Sequence, residues 1–149
     1  MLSNLTEVQS CLLRSVPPRH FSCALHFVFF ARTIMVAFLI VDADRNFRDA
    51  LAIGLRLDGH LAVAIGDADE ACERLRVVRF DCCLVDAHLA GADALLEIAA
   101  GEGLQAIATS PHPDLLAAAA SRHPRASALA KPFLPEDLVA RVGRPATAA

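Results

Sequence analysis

The chain has 149 residues, 55% hydrophobic and 21% charged, with no Trp or Tyr and a formal net charge of −3. That length gives one domain with a core of its own, and the alanine-rich apolar fraction makes it a core of small and aliphatic side chains. The slight acidity leaves no electrostatic case for nucleic acid or for an anionic membrane surface.

Five cysteines (Cys11, Cys23, Cys72, Cys82, Cys83) are odd in number and irregularly spaced, and no Cys-x-x-Cys occurs among them. This reads as buried small hydrophobes in a reducing compartment, ahead of a zinc site or a vicinal redox pair. Lys131 is the only lysine; every other cationic side chain apart from histidine is Arg.

The first 34 residues differ from the rest, with a Pro17–Pro18 turn and the apolar stretch Phe21–Ala31. Cys23–Val41 has the length of a membrane span. His26 and Arg32 interrupt it, however, and its last third runs into Ile40-Val41-Asp42 as a strand does. A secretory signal lacks a clear small-residue cleavage site. Met35 stands where an ordinary start falls. Residues 1–35 therefore read as an N-terminal extension of doubtful order, 36–143 as the folded domain and 144–149 as a tail.

From Val36 the punctuation is regular. Val36–Val41 predicts a strand ending in Asp42-Ala43-Asp44. Asn46–Leu57 places Phe47, Ala50, Leu51 and Leu55 at helical spacing, and Asp58-Gly59-His60 closes that helix. Leu61–Ile65 is a second short strand, and after Gly66-Asp67 the repeat of Ala71, Leu75 and Val78 predicts a helix over Ala68–Val78. Cys82–Val85 is too brief for a helix and suits a buried central strand that stops on Asp86. Ala92–Ala100 is a short helix broken by Gly101–Gly103, and Leu104–Thr109 a fourth strand ending in hydroxyls (Thr109, Ser110). Pro111 and Pro113 suit the start of a helix over Asp114–Ser121, where a missing N–H costs nothing. Ser127–Ala130 is a fifth strand, and Pro135-Glu136-Asp137 opens a last helix running through Val142. His60, His112 and His123 flank turns and helix ends and read as surface or capping residues rather than metal ligands.

Five strands alternating with five helices through short connections mean an α/β fold: a doubly wound, five-stranded parallel sheet with helices on both faces. In such a sheet the functional groups lie beyond the carboxyl ends of the strands. Those ends carry Asp42, Asp86, Thr109 and Lys131. Two close carboxylates repel each other, and a small hard cation such as Mg²⁺ relieves that repulsion. A lysine and a hydroxyl nearby bind anionic oxygens, so a carboxylate in this company is arranged to attack a phosphoryl group. Asp44, just ahead of a helix, reads as its cap.

Four stretches carry a resemblance: Phe-Leu-Ile-Val-Asp-Ala-Asp-Arg-Asn-Phe-Arg at 38–48, Phe-Asp-Cys-Cys-Leu-Val-Asp at 80–86, Ala-Thr-Ser at 108–110 and Ala-Lys-Pro-Phe at 130–133. Together they resemble the receiver domain of response regulators in two-component signalling, the CheY-like family, from Val36 to Val142. The resemblance implies the flavodoxin-like strand order 2-1-3-4-5, an order for which a receiver domain is itself a standard example. It further implies that Asp86 accepts a phosphoryl group from a histidine kinase or phosphotransfer protein. Asp42 and Asp86 would hold Mg²⁺ together with the backbone carbonyl of His88, whose side chain is incidental. Thr109 would be the switch hydroxyl, and Lys131 the lysine that pairs with the phosphoryl oxygen.

The chain departs from the family pattern at four places. The second acidic residue of the metal pair falls on Ala43, which weakens or removes the Mg²⁺ site. The switch aromatic falls on Ala128, the proline after the acceptor is Ala90, and the segment from Asp86 to Thr109 is several residues short. The resulting expectation is a stand-alone, cytoplasmic receiver that signals by protein–protein contact with a downstream effector and has no nucleic-acid or membrane partner. It would form a homodimer, if any, through its fourth and fifth helices. Its chemistry would be at most self-catalysed phosphoryl transfer and dephosphorylation. The competing reading, carried by Ala43 and Ala128, is a degenerate pseudo-receiver acting as a phosphorylation-independent docking or dimerisation module. A flavodoxin-type electron carrier is third, lacking both a Gly-rich phosphate loop after the first strand and a stacking Trp or Tyr.

Overall fold

The computed structural model describes residues 35–142, so the extension and the tail expected at the two ends lie outside the described residues. The elements alternate from β1 (Ala37–Val41), α1 (Arg45–Leu57) and β2 (Leu61–Ile65) to α2 (Ala68–Val77), β3 (Cys82–Asp86) and α3 (Ala92–Gly101). They continue with β4 (Gln105–Ser110), α4 (Pro113–Arg122), β5 (Ser127–Ala130) and α5 (Pro135–Val142). Each boundary falls within one residue of the sequence reading. The strands form one parallel sheet, as the alternation predicts, in the order β2-β1-β3-β4-β5 that the resemblance implies. No described helix is long and apolar enough to cross a membrane.

Local chemistry starts and stops these elements. Asp44 caps α1 by accepting from the backbone N–H of Asn46 and Phe47, and Asp67 caps α2 by accepting from that of Glu70. Each satisfies amide donors that the first helical turn leaves unpaired. Gly59 follows α1 at φ +88°, a conformation open to glycine at little cost. Gly91 holds φ +83° where the chain turns into α3, and a Cβ there would lie 3.0 Å from the Cβ of Ala68.

The strand period of two divides the core between the sheet faces. Leu39, Val41, Cys83, Val85, Ala106 and Ala108 face α2 and α3, packing against Ala71, Leu95, Leu96 and Ala99. Phe38, Ile40, Cys82, Leu84 and Ile107 face α1 and α5, packing against Leu51, Leu55 and Leu138. Cys82 and Cys83 thus enter opposite halves of the core, both fully buried. Burying a side chain such as Phe38 or Leu55 contributes roughly 2–3 kcal/mol each against exposure.

His60 corrects the sequence reading. It is buried, not a surface or capping residue: its Nδ1 accepts from the backbone N–H of Val36 at 3.3 Å, and its ring packs edge-on to Phe38. The chain leaving α1 turns inward at Gly59, so the next side chain is delivered under the start of β1. His123 is tied down as well, with Nε2 2.8 Å from Asp93 Oδ1, which links the end of α4 to α3.

Candidate functional site

Parallel strands in register bring their carboxyl ends to one edge. Asp42 follows the last residue of β1, Asp86 ends β3, Thr109 lies opposite Asp86 on β4, and Lys131 follows β5. Asp42, Asp86 and Thr109 are all buried, and the Lys131 side chain is only 14% exposed.

The centre of the site is the Lys131 ammonium. It donates to Asp42 Oδ2 and lies 3.7 Å from Asp86 Oδ1. Asp42 Oδ1 accepts from the backbone N–H of Asp44 at 2.9 Å, so both oxygens of that carboxylate are engaged. Asp86 Oδ1 accepts a longer bond, 3.3 Å, from the backbone N–H of His88. Two buried carboxylates therefore share one cation, the arrangement that lets like charges sit together. Asp44 is spent on capping α1, as the sequence suggested.

Thr109 stands beside Asp86, but its hydroxyl donates to the carbonyl of Val85 at 3.4 Å. His88 reaches Asp86 through its amide, while its exposed ring meets that of His112 edge-on, with centroids 5.1 Å apart. Ser110 is fully buried and accepts from the backbone N–H of His112, which fixes the turn into α4. On the far side Ala128 offers no aromatic ring; its carbonyl accepts from Arg141 at 3.1 Å.

Two residues of this neighbourhood escaped the sequence reading. Phe47, taken there as part of the buried face of α1, lies under the ammonium, with Lys131 Nζ 4.5 Å from its ring centroid. Arg48 donates to the carbonyls of Asp42 and Ala43 at 3.0 and 3.4 Å and so holds the loop after β1. Gly66 leaves the space for this, since a Cβ there would lie 2.9 Å from the guanidinium. Helical periodicity had already accounted for Phe47, and nothing in the sequence marks which arginine folds back.

The resemblance implies Mg²⁺, for which Asp42 and Asp86 are the carboxylate donors at this edge. Asp42 and Asp86 reach a single ammonium, so they converge on one cation position, and two carboxylates suffice for an ion that keeps most of its waters. No group of three or more metal-ligating side chains occurs among the described residues. Ala43 supplies an exposed methyl where a third carboxylate would stand. The pair fits a hard cation with few protein ligands.

Away from this edge, burial pushes the Cys83 thiol up to about 12, and Cys82 well above the ordinary thiol value. Desolvation disfavours the thiolate, so neither cysteine has the character of a nucleophile.

No family model and no curated relative matches the chain by sequence. Solved structures are similar to it in fold. A CheY-like response regulator receiver domain protein from Methanospirillum hungatei superposes with a TM-score of 0.63 over 72% of this chain and 90% of its own, at 22% identity. The receiver domain of the Francisella response regulator 1452 gives 0.61 over 72% and 93%, at 18% identity. A response regulator from Burkholderia pseudomallei, solved with a phosphorylated aspartic acid, a calcium ion and citrate, gives 0.63 over 72% and 66%, at 23% identity. With strand order, helix placement and these likenesses in agreement, the chain has the fold of response-regulator receiver domains.

Proposed function

We propose that the domain is a phosphorylation-dependent signalling module whose acceptor is Asp86. One observation carries the reading: the Lys131 ammonium is shared between Asp42 and Asp86 at the carboxyl edge of the sheet. An Asp86 oxygen attacks the phosphorus of a phosphohistidine on a partner kinase or phosphotransfer protein. The O–P bond of an acyl phosphate forms as the N–P bond breaks, and the imidazole, protonated on its other ring nitrogen, keeps the N–P electron pair and leaves neutral. Lys131 compensates the dianionic group that arrives. Thr109, whose hydroxyl donates to the Val85 carbonyl, turns to a phosphoryl oxygen in the phosphorylated state, and that exchange pulls on the turn into α4.

Asp42, Asp86 and the carbonyl of His88 are the groups that would hold Mg²⁺. Bound there, it would supply positive charge to offset the negative charge of the transferring phosphoryl group. The Burkholderia pseudomallei protein, with its phosphorylated aspartic acid and calcium ion, lends the reading support by analogy of fold. Output passes by protein–protein contact, either to an effector or to a second copy through the α4/α5 face. The cytoplasm, where phosphohistidine donors of this kind face the receiver, is the compartment that goes with it.

A second reading, a docking module that is not phosphorylated, is favoured by position 43. Its methyl group leaves Lys131 as the resident counter-ion of the acidic pair. Incubation with acetyl phosphate and Mg²⁺ followed by intact-mass measurement separates the two. The receiver gains one phosphoryl group and Asp86→Asn gains none. An unchanged mass in the native chain, with no uptake of beryllofluoride, establishes the docking module instead.

A further inference from the structure

We infer that Phe47 is a positioning residue for Lys131, its ring face holding the ammonium in the acceptor pocket. The inference rests on the reading of Asp86 as acceptor and adds the device that keeps the pocket's cation in place. The ring is fixed from two sides. Its backbone N–H is bound at 3.2 Å by the Asp44 carboxylate that caps α1. Its edge meets Phe133, two residues beyond Lys131, with centroids 5.4 Å apart and planes at 84°.

At 4.5 Å from the centroid the ammonium sits well inside the range of about 6 Å over which a cation is attracted to an aromatic face. The attraction is stronger where water is excluded, and this side chain is only 14% exposed. Three donors leave Nζ: one is taken by Asp42, and Asp86 at 3.7 Å is beyond hydrogen-bond reach. The ring face receives part of the remainder. A lysine stem has many rotamers and a strongly hydrated head, and with an alanine at 43 there is one carboxylate fewer to hold it inward. The aromatic face takes over that restraint.

The chain's single lysine makes the test direct. The full chain is labelled with ¹³C,¹⁵N-lysine, and the resonance of the Lys131 ε-methylene is compared in the native protein, Phe47→Tyr and Phe47→Leu. Phe47→Met serves as a second apolar replacement should leucine perturb the packing on Phe133. The expected result is an upfield, ring-shifted resonance with restricted side-chain motion by ¹³C relaxation in the native protein and Phe47→Tyr, and a free-lysine shift with fast side-chain motion in the aliphatic variants; the gain in motion is what loss of the ring current alone does not produce. Phosphoryl uptake from acetyl phosphate should fall about three- to ten-fold in the aliphatic variants, the range a cation–π contact supports. In Phe47→Tyr it should stay within about two-fold of native, because tyrosine keeps the aromatic face.

A lysine resonance indifferent to Phe47→Leu and Phe47→Met overturns the positioning role, and so does uptake that is measurable in the native chain and equal to it in all variants. If no protein, native included, takes up a phosphoryl group while the lysine resonance responds as expected, the acceptor reading falls and the restraint of Lys131 by Phe47 stands.

Discussion

Asp42 and Lys131, 89 residues apart in the chain, form an ion pair at the carboxyl edge of the sheet, with Asp42 only 2% exposed. Removing one partner of a buried pair costs more than the pair contributes, because the other charge is left without compensation. Lys131→Met keeps the apolar stem and removes the charge, leaving Asp42 and Asp86 facing each other. We expect it to lower unfolding stability by roughly 2–4 kcal/mol at neutral pH. Adding Asp42→Asn should recover part of that loss. Urea denaturation of the two variants and the native chain measures both numbers. A loss below about 0.5 kcal/mol for Lys131→Met, the level of an exposed pair, contradicts the buried ion pair.

Position 43 offers a test of the proposed Mg²⁺ site. Ala43→Asp places a third carboxylate next to Asp42 and Asp86, and the affinity of oxygen-ligand sites rises with the number of charged ligands. Titration calorimetry should show Mg²⁺ binding at least about ten-fold tighter than in the native chain. Without metal the added charge sits in a pocket that already holds two carboxylates and one ammonium, and stability should drop by about 1 kcal/mol. Removal of Mg²⁺ with chelator should therefore lower the melting temperature of the variant much more than that of the native protein. Equal melting temperatures with and without metal in Ala43→Asp contradict a shared cation position.

What the sequence discloses and what it hides separate along physical lines. Cys82–Val85 is legible as a buried strand because a short apolar run between turn residues has few alternatives. Asp42, Asp86 and Lys131 are legible because a doubly wound sheet puts such strand ends on one edge. His60 is not legible: whether a histidine after Gly59 points outward or under Val36 depends on packing against Phe38, a residue 22 positions earlier in the chain. Phe47 fits the helical apolar stripe so well that the period conceals its second contact, the one with Lys131. Arg48 is hidden for a related reason, since its target carbonyls exist only once the loop after β1 has closed. Long-range side-chain partners, rather than elements, are what periodicity fails to report.

The two glycines at the ends of α3, Gly91 just before it and Gly101 closing it, should respond oppositely to alanine. Gly91 holds φ +83°, and its added Cβ would lie 3.0 Å from Ala68 Cβ, so Gly91→Ala combines backbone strain with a close contact between the starts of α2 and α3. The expected cost is about 1–2 kcal/mol. Gly101 ends the same helix with open space around it and no left-handed φ, so Gly101→Ala should add about 0.4–1 kcal/mol by restricting the unfolded chain. Thermal and denaturant unfolding of the pair checks the signs; a stabilising Gly91→Ala contradicts the turn geometry.

Alkaline pH should unfold this protein through its core thiols. Cys83 keeps its proton in the folded chain up to about 12, against an ordinary value of 9.0, because burial between the sheet and α2–α3 removes water from the thiolate. Below 9.0 both states hold the proton and the thiol leaves stability unchanged. From there to about 12 the unfolded chain releases it while the native chain retains it, so the unfolded state binds fewer protons. Stability then falls as pH rises, by about 1.4 kcal/mol per pH unit for this one group. Cys82, raised by burial on the other sheet face, acts in the same direction. The chain has no tyrosine and one lysine, so the groups that titrate across that window are chiefly its thiols, among them Cys72, which burial also raises. Unfolding free energies from urea denaturation at about pH 9.5 and about pH 11 should drop steeply in the native chain. In Cys83→Ala they should start lower, because of the cavity, and drop with a slope shallower by about 1.4 kcal/mol per unit. Parallel slopes in the two proteins contradict a Cys83 thiol held protonated by the fold.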